Sequence, residues 1–123
     1  MINIAIDGPA GAGKSTIARR TAANLGYIYV DTGALYRAVG VSVLRRGLDT
    51  TDAKAVAQVL NEIKIELKFV DGVQHVFLNG EDVSTDIRLP EASMAASNVS
   101  AIPAVRAFLF DLQKSIAANS NCI

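Results

Sequence analysis

The segment Gly8–Ser15 is the part of the chain whose residue types and spacing best suit chemistry, because it fits the P-loop pattern G-x-x-x-x-G-K-[ST]. Glycines without a Cβ allow backbone N–H groups to curl around a phosphate, and a following helix N-terminus adds a favourable dipole. Lys14 is placed to reach the β- and γ-phosphates of a nucleoside triphosphate, and the Ser15 hydroxyl to bind Mg²⁺. The alternative interpretation is an ordinary glycine-rich turn.

The residues on either side of this loop favour the phosphate-binding interpretation. The apolar, β-branched stretch 2–6 predicts a buried strand, and the alanine-rich stretch 15–25 predicts a helix that ends at Gly26. A strand before the loop and a helix after it are the context that a P-loop requires. The sequence therefore predicts binding of a nucleoside triphosphate.

A second candidate segment, Asp31–Arg37, follows a predicted strand at 27–30 and opens a predicted helix at 33–46. Ligands of open parallel sheets bind beyond the carboxyl ends of the strands, so this segment is expected to border the same crevice as the P-loop. Thr32 is predicted to cap the helix, and Arg37, one turn further on, to bind a second phosphate. From position alone, a cap followed by a solvated arginine is an equal alternative.

The elements that must position these residues alternate between strand and helix in the first third of the chain. This order predicts an α/β fold with parallel strands joined by right-handed crossovers. Thr51 is predicted to cap a further helix. The stretch 63–84 alternates apolar and polar residues around Asp-Gly and Asn-Gly turn signals, which predicts an inserted three-stranded antiparallel meander. Pro90 and Pro103 suit the first turns of two more helices.

Composition excludes several classes of function. A chain of 123 residues supports one domain. Its 12 basic and 12 acidic residues balance, so there is no net positive charge to attract nucleic acid or a membrane surface. No apolar run reaches the ~18 residues of a membrane span, and no signal-peptide pattern is present. Cys122 is the single cysteine, so no disulfide forms within the chain. We therefore expect a cytoplasmic protein that binds small molecules, with a structural role for His75. The pair Glu81-Asp82 is expected to be surface charge beside a turn, with metal binding as the alternative.

Several of these segments together resemble the bacterial cytidylate kinases. The resemblance covers essentially the whole chain, and the meander with its Asn-Gly-Glu-Asp-Val sequence is more specific than the P-loop, which is shared across a superfamily. The segments that carry it are 7–16, 31–37, 78–84, 87–88 and 96–106.

The resemblance implies a P-loop nucleoside monophosphate kinase fold, with a parallel sheet core and the antiparallel meander inserted into it. Residues 1–37 would hold the P-loop and the start of the core, and residues 38–118 the monophosphate-binding region. The implied reaction moves the γ-phosphoryl group of ATP, with Mg²⁺, to CMP or dCMP. The residues implied to bind ATP are Gly8, Pro9, Ala10, Gly11, Ala12, Gly13, Lys14, Ser15 and Thr16, with Lys14 on the transferring group and Ser15 on Mg²⁺.

The acceptor site is likewise implied by the resemblance. Arg37 would grip the 5′-phosphate of CMP, while Ser97 and Arg106 match positions that hydrogen-bond the cytosine edge. The fixed donors of an arginine suit the carbonyl and ring nitrogen of cytosine, although spacing alone is equally typical of polar surface residues. The implied acceptor residues are Asp31, Thr32, Tyr36, Arg37, Ser97 and Arg106.

Members of the family are roughly twice as long as this chain and continue into a lid that carries further arginines. We therefore expect an N-terminal part of such a kinase, monomeric at full length. The alternatives are a kinase of another small acceptor on the same fold and a non-catalytic nucleotide-binding fragment. A GTPase-like switch would need an Asn-Lys-x-Asp motif, which the sequence lacks.

Overall fold

The computed structural model describes residues 2–5 and 14–123, which divide into two compact units. Residues up to Val30 together with Leu112–Ile123 form one unit, called the terminal unit here. Residues Asp31–Asp111 form the other, called the middle unit.

In the terminal unit, helix α1 spans Lys14–Leu25 and ends at Gly26, which has the positive φ of 68° that favours glycine after a helix. The C-terminal residues pair with the two segments predicted as strands. Cys122 forms parallel bridges with both Asn3 and Ile28. Its neighbours complete the pairing, with Ile4 N donating to the Cys122 carbonyl at 3.0 Å and Ile123 N donating to the Ile28 carbonyl at 2.8 Å.

The two segments predicted as strands, 2–6 and 27–30, form less regular strand structure than predicted in the residues that the structure describes. Each appears as an isolated bridge to Cys122 rather than a continuous strand. Residue 6 lies outside the described residues. The parallel direction of both bridges agrees with the direction that the strand–helix alternation predicts.

The middle unit contains most of the helices and the meander. Its core is built on α2, where buried apolar side chains recur at helical spacing: Ala34, Leu35, Ala38, Val39 and Val43. As predicted, Pro90 and Pro103 occupy the first residues of α4 and α5. The elements are α2 (Thr32–Arg45), α3 (Ala53–Leu60), a 3₁₀ turn (Asp86–Arg88), α4 (Pro90–Ser100) and α5 (Pro103–Asn119), whose last residues belong to the terminal unit.

Two predicted helix caps are wrong by one residue. Asp31, not Thr32, caps α2, because its Oδ1 accepts from Ala34 N at 3.1 Å. Asp52, not Thr51, caps α3, and its Oδ1 accepts from two backbone N–H groups at 3.2 Å each. In both cases the aspartate has the extended backbone that a cap needs, so its carboxylate faces the first turn of the helix.

The meander has the predicted form. Strands β1 (Ile65–Val70), β2 (Val73–Leu78) and β3 (Glu81–Asp82) pair antiparallel in that order. Both residues of each connecting turn have positive φ, 52° and 78° in the first turn and 51° and 83° in the second, which is the geometry of type I′ hairpins. The face that packs inward carries Ile65, Val76, Leu78 and Val83.

A polar link joins β2 to β3. His75 Nδ1 lies 2.6 Å from Asp82 Oδ2, and Ser84 N donates to Asp82 Oδ1 at 3.0 Å. Hydrogen bonds from Ser84, and then the neighbouring His75, lower the pKa of Asp82 from 3.8 to about 2. A carboxylate with a depressed pKa contributes stability above its unfolded pKa, and that contribution is lost as pH falls from about 4 towards 2.

The pH dependence of this link is testable by thermal melting. We expect Asp82→Asn to lower the melting temperature at pH 5, and the difference from wild type to shrink as pH falls from about 4 to about 2. Asp111→Asn, which removes an exposed carboxylate of α5 outside the meander, is the control. A difference between Asp82→Asn and wild type that stays constant across this range would contradict the assignment.

Candidate active site

The predicted ATP-binding residues fall at the start of the terminal unit. Gly8–Gly13 lie outside the described residues, and the helix that must follow a P-loop begins directly after them, at Lys14. Ser15 and Thr16 therefore occupy the first turn of α1, where backbone N–H groups are not used within the helix. A helix start at this position is what phosphate binding requires.

The residues available for a divalent cation fit Mg²⁺ better than a transition metal. Ser15 lies in the first turn of α1, directly after the segment predicted to bind phosphate, and a hydroxyl oxygen is the type of ligand that Mg²⁺ accepts beside phosphate and water. Among the residues that the structure describes, no three His, Cys, Asp or Glu side chains gather as a metal site. Ser15 therefore stays the predicted position for the ion, at the start of α1.

The first predicted acceptor residues lie at the N-terminal end of α2 in the middle unit. Asp31 is half-buried and serves as the helix cap, whereas Thr32 is the first helical residue and is exposed. Tyr36 is half-buried and Arg37 is exposed one turn into the helix. The Arg37 side chain is therefore accessible to a ligand. The opposite face of α2 is buried in the core.

The cap role of Asp31 gives a stability prediction. Asp31→Ala removes the acceptor for Ala34 N and is expected to lower the free energy of unfolding by about 1 kcal/mol. Asp31→Asn should stay close to wild type, because asparagine caps as well as aspartate. Urea unfolding followed by circular dichroism measures both variants. Equal losses in the two would show that the negative charge, rather than the cap, is what stabilises the protein.

The predicted base-recognition residues are carried by the last two helices. Ser97 is exposed on α4, and its backbone carbonyl accepts from Ser100 Oγ at 2.8 Å. Arg106 is exposed on the first turn of α5, which follows α4 after a two-residue link. Helix α4 packs directly on α2, so the structure brings the helices of Ser97 and Arg37 together.

Sequence reasoning did not find an ionic cluster at the C-terminal end of α2. Arg45 Nη2 contacts Glu81 Oε2 at 2.8 Å and Asp86 Oδ2 at 3.1 Å, and Arg46 pairs with Glu62. The two pairs of Arg45 link α2 to β3 and to the 3₁₀ turn, and the pair of Arg46 links the end of α2 to the segment after α3. The signal in the sequence was the Arg-Arg pair at a helix end, but its acidic partners lie 16 to 41 residues away and only the tertiary structure identifies them.

Two clefts of the middle unit border this cluster. One, of about 260 Å³, is lined by residues that include Ser42, both arginines and Glu81. The other, of about 210 Å³, is lined by residues that include Leu44, Leu89 and Asp86. The predicted acceptor residues line neither of these two clefts. Both arginines that line the first cleft are paired with carboxylates, Arg45 with Glu81 and Asp86 and Arg46 with Glu62.

Comparison with protein families gives a match that includes both the segment 8–15 and the meander. The model of the cytidylate kinase family matches residues 4–123. The chain belongs to the cytidylate kinase family. Curated cytidylate kinases with high identity include those of Caldicellulosiruptor bescii, 54% identical over 99% of this chain, and Symbiobacterium thermophilum, 50% identical over 93%. The cytidylate kinase of Limosilactobacillus reuteri is 46% identical over 99%.

The chain spans about half the length of the curated cytidylate kinases that it matches, 54%, 51% and 54% of these three. Membership of the cytidylate kinase family implies a P-loop nucleoside monophosphate kinase fold. The α/β character and the three-stranded antiparallel sheet are confirmed. In the described part of the chain, none of the helices combines the length and apolar character needed to cross a bilayer.

Proposed function

We propose that this chain carries the donor and acceptor segments of an enzyme that transfers the γ-phosphoryl group of ATP to CMP or dCMP, which gives ADP and CDP or dCDP. The observation that carries the proposal is the family match over residues 4–123, shared with relatives that are named cytidylate kinase. The role belongs to pyrimidine nucleotide metabolism in the cytoplasm.

On the donor side, residues 8–16 bind the phosphates of ATP through backbone N–H groups and the N-terminus of α1. The ammonium group of Lys14 compensates negative charge on the transferring phosphoryl group, and the Ser15 hydroxyl ligates the metal. Mg²⁺, when bound, would neutralise part of the negative charge of the triphosphate. Together these contacts stabilise charge that shifts during transfer.

On the acceptor side, an oxygen of the CMP phosphate attacks the γ-phosphorus, and the bond from that phosphorus to the ADP oxygen breaks. The second ionisation of a phosphate monoester has a pKa of about 6, so the attacking oxygen needs no strong general base near neutral pH. Arg37 holds this phosphate through its planar fork, with Asp31, Thr32 and Tyr36 around it. Ser97 and Arg106 donate to the cytosine edge. Catalysis then consists of positioning and cationic charge.

The finer features of the fold are part of the same proposal. The two parallel bridges at Cys122 support a parallel sheet core, with residues 1–37 as its start and residues 38–118 as the monophosphate-binding region. The balance of 12 basic and 12 acidic residues supports small-molecule partners rather than nucleic acid. We propose a monomer at full length.

The proposal is tested by ADP release from the 123-residue chain with ATP·Mg²⁺ and, in turn, CMP, dCMP, UMP and AMP. We expect release that depends on CMP or dCMP and exceeds the release with AMP. ATP without an acceptor measures wasteful hydrolysis. Equal turnover with AMP would contradict cytidylate specificity, and no dependence on any acceptor would contradict phosphoryl transfer by this chain.

A further inference from the structure

We propose that Gly40 is a positioning residue of the acceptor site, because its close contact with Ala95 sets the separation between Arg37 and Ser97. The inference rests on the proposed function, in which these two side chains hold the phosphate and the base of CMP. Gly40 itself touches neither group and acts through the helices α2 and α4.

The contact between the two helices leaves no space for a side chain at residue 40. A Cβ added to Gly40 would lie 2.8 Å from the Cβ of Ala95, and 3.1 Å from both the Ala95 carbonyl carbon and the Ala96 nitrogen. Two of these three neighbours are backbone atoms of α4, so no rotation of a side chain relieves the overlap. Carbon atoms pack at about 3.5 Å or more, and a methyl group at residue 40 would therefore displace α4 by about 0.7 Å or more.

The contact lies within one turn of both proposed ligand-binding side chains. Gly40 follows Arg37 by three residues, a spacing that places the two one helical turn apart. On α4, Ala95 and Ala96 directly precede Ser97. A displacement at this point therefore changes the spacing between Arg37 and Ser97.

A second contact holds the same turn of α4. Asn98 Nδ2 donates to Thr50 Oγ1 at 2.8 Å, and Thr50 is buried in the loop after α2. Ser97 thus lies between two fixed points, the packed Ala95 and the hydrogen-bonded Asn98. Its own side chain is exposed. This arrangement holds the backbone of α4 still while leaving the Ser97 hydroxyl available to a ligand.

Glycine is an unfavourable residue in the interior of a helix, so its presence at residue 40 indicates a packing requirement. Alanine is the better residue in the interior of a helix, so Gly40→Ala would strengthen α2 if space were available. Gly33, in the same helix, meets one atom at 3.4 Å, an ordinary contact. Of these two glycines, only Gly40 packs closely against α4.

The test is the dissociation constant for CMP, measured by calorimetry on the whole chain. Misplacement of a group by ~1 Å can lower the rate of an enzyme by about 10²-fold, which shows how strongly interactions depend on position. For the smaller displacement here we expect Gly40→Ala to raise the dissociation constant for CMP by about tenfold. The constant for ATP·Mg²⁺ should stay unchanged, because residues 8–16 belong to the terminal unit. Adding Ala95→Gly should restore part of the CMP affinity, since it removes the nearest atom.

The control is Val56→Ala, which removes buried volume from α3 and should lower the melting temperature without changing CMP affinity. If Gly40→Ala yields no folded protein, Thr50→Val tests the same placement of α4, with an expected severalfold rise in the constant for CMP. Unchanged CMP affinity in the folded variant would overturn the inference. Absence of CMP binding by wild type would overturn the proposed function, and the inference with it.

Discussion

Arg37→Ala is expected to weaken CMP binding by about 10²-fold or more, because it removes a charged fork that makes two hydrogen bonds to one phosphate. Each hydrogen bond to a charged group is worth about 1.5–3 kcal/mol. Arg37 is exposed, so its loss leaves the core of α2 intact and the free energy of unfolding nearly unchanged. Arg37→Lys keeps the charge and loses the fork, and its affinity should fall between those of wild type and Arg37→Ala.

A matched control lies at the C-terminal end of the same helix. Arg46 follows α2 directly, is also exposed, and pairs with Glu62, so Arg46→Ala removes one positive charge without touching the proposed acceptor site. Calorimetric titration with CMP should show wild-type affinity for Arg46→Ala. A similar loss of affinity in both variants would mean that general charge, and not a phosphate fork at Arg37, attracts CMP.

Lys14→Ala is expected to lower phosphoryl transfer by about 10²–10³-fold, the effect of removing one fixed group that stabilises charge in a transition state. Its affinity for ATP·Mg²⁺ should fall as well, because the same ammonium group contacts the triphosphate in the ground state. ATP titration gives a readout that does not depend on turnover.

Lys54→Ala is the control for this variant, since Lys54 is an exposed lysine at the start of α3. Circular dichroism should show the same helix content in both variants and in wild type. If Lys14→Ala bound ATP·Mg²⁺ as tightly as Lys54→Ala, the segment 8–16 would not be the donor site.

The meander could be predicted because its determinants are local. Asp71-Gly72 and Asn79-Gly80 supply the residue types that tolerate positive φ, and the apolar alternation fixes the inward face. The helix caps were harder to assign. Thr32 and Thr51 each stand next to an aspartate, both residue types cap helices, and the choice depends on which one has extended backbone in the folded protein.

The contacts that join distant segments could not be predicted from the sequence. The approach of Gly40 to Ala95 joins residues more than 50 positions apart, and the ion pairs of Arg45 reach Glu81 and Asp86 across the meander. Neither has a periodic or local signature. The P-loop and Arg37 could be proposed from the motif and from position, whereas Ser97 and Arg106 came from the family resemblance. The structure adds that the helices carrying Arg37 and Ser97 pack together.

Recognition of CMP by the middle unit is most directly tested by a ¹H–¹⁵N correlation titration of the chain with CMP and, in parallel, with AMP. We predict saturable shifts of the backbone amides of Arg37, Ser97 and Arg106 with CMP, and much weaker shifts of the Ser97 and Arg106 amides with AMP, which lacks the cytosine edge. If AMP shifted all three amides as strongly as CMP, or if CMP shifted none of them, CMP would not be the acceptor that these residues recognise.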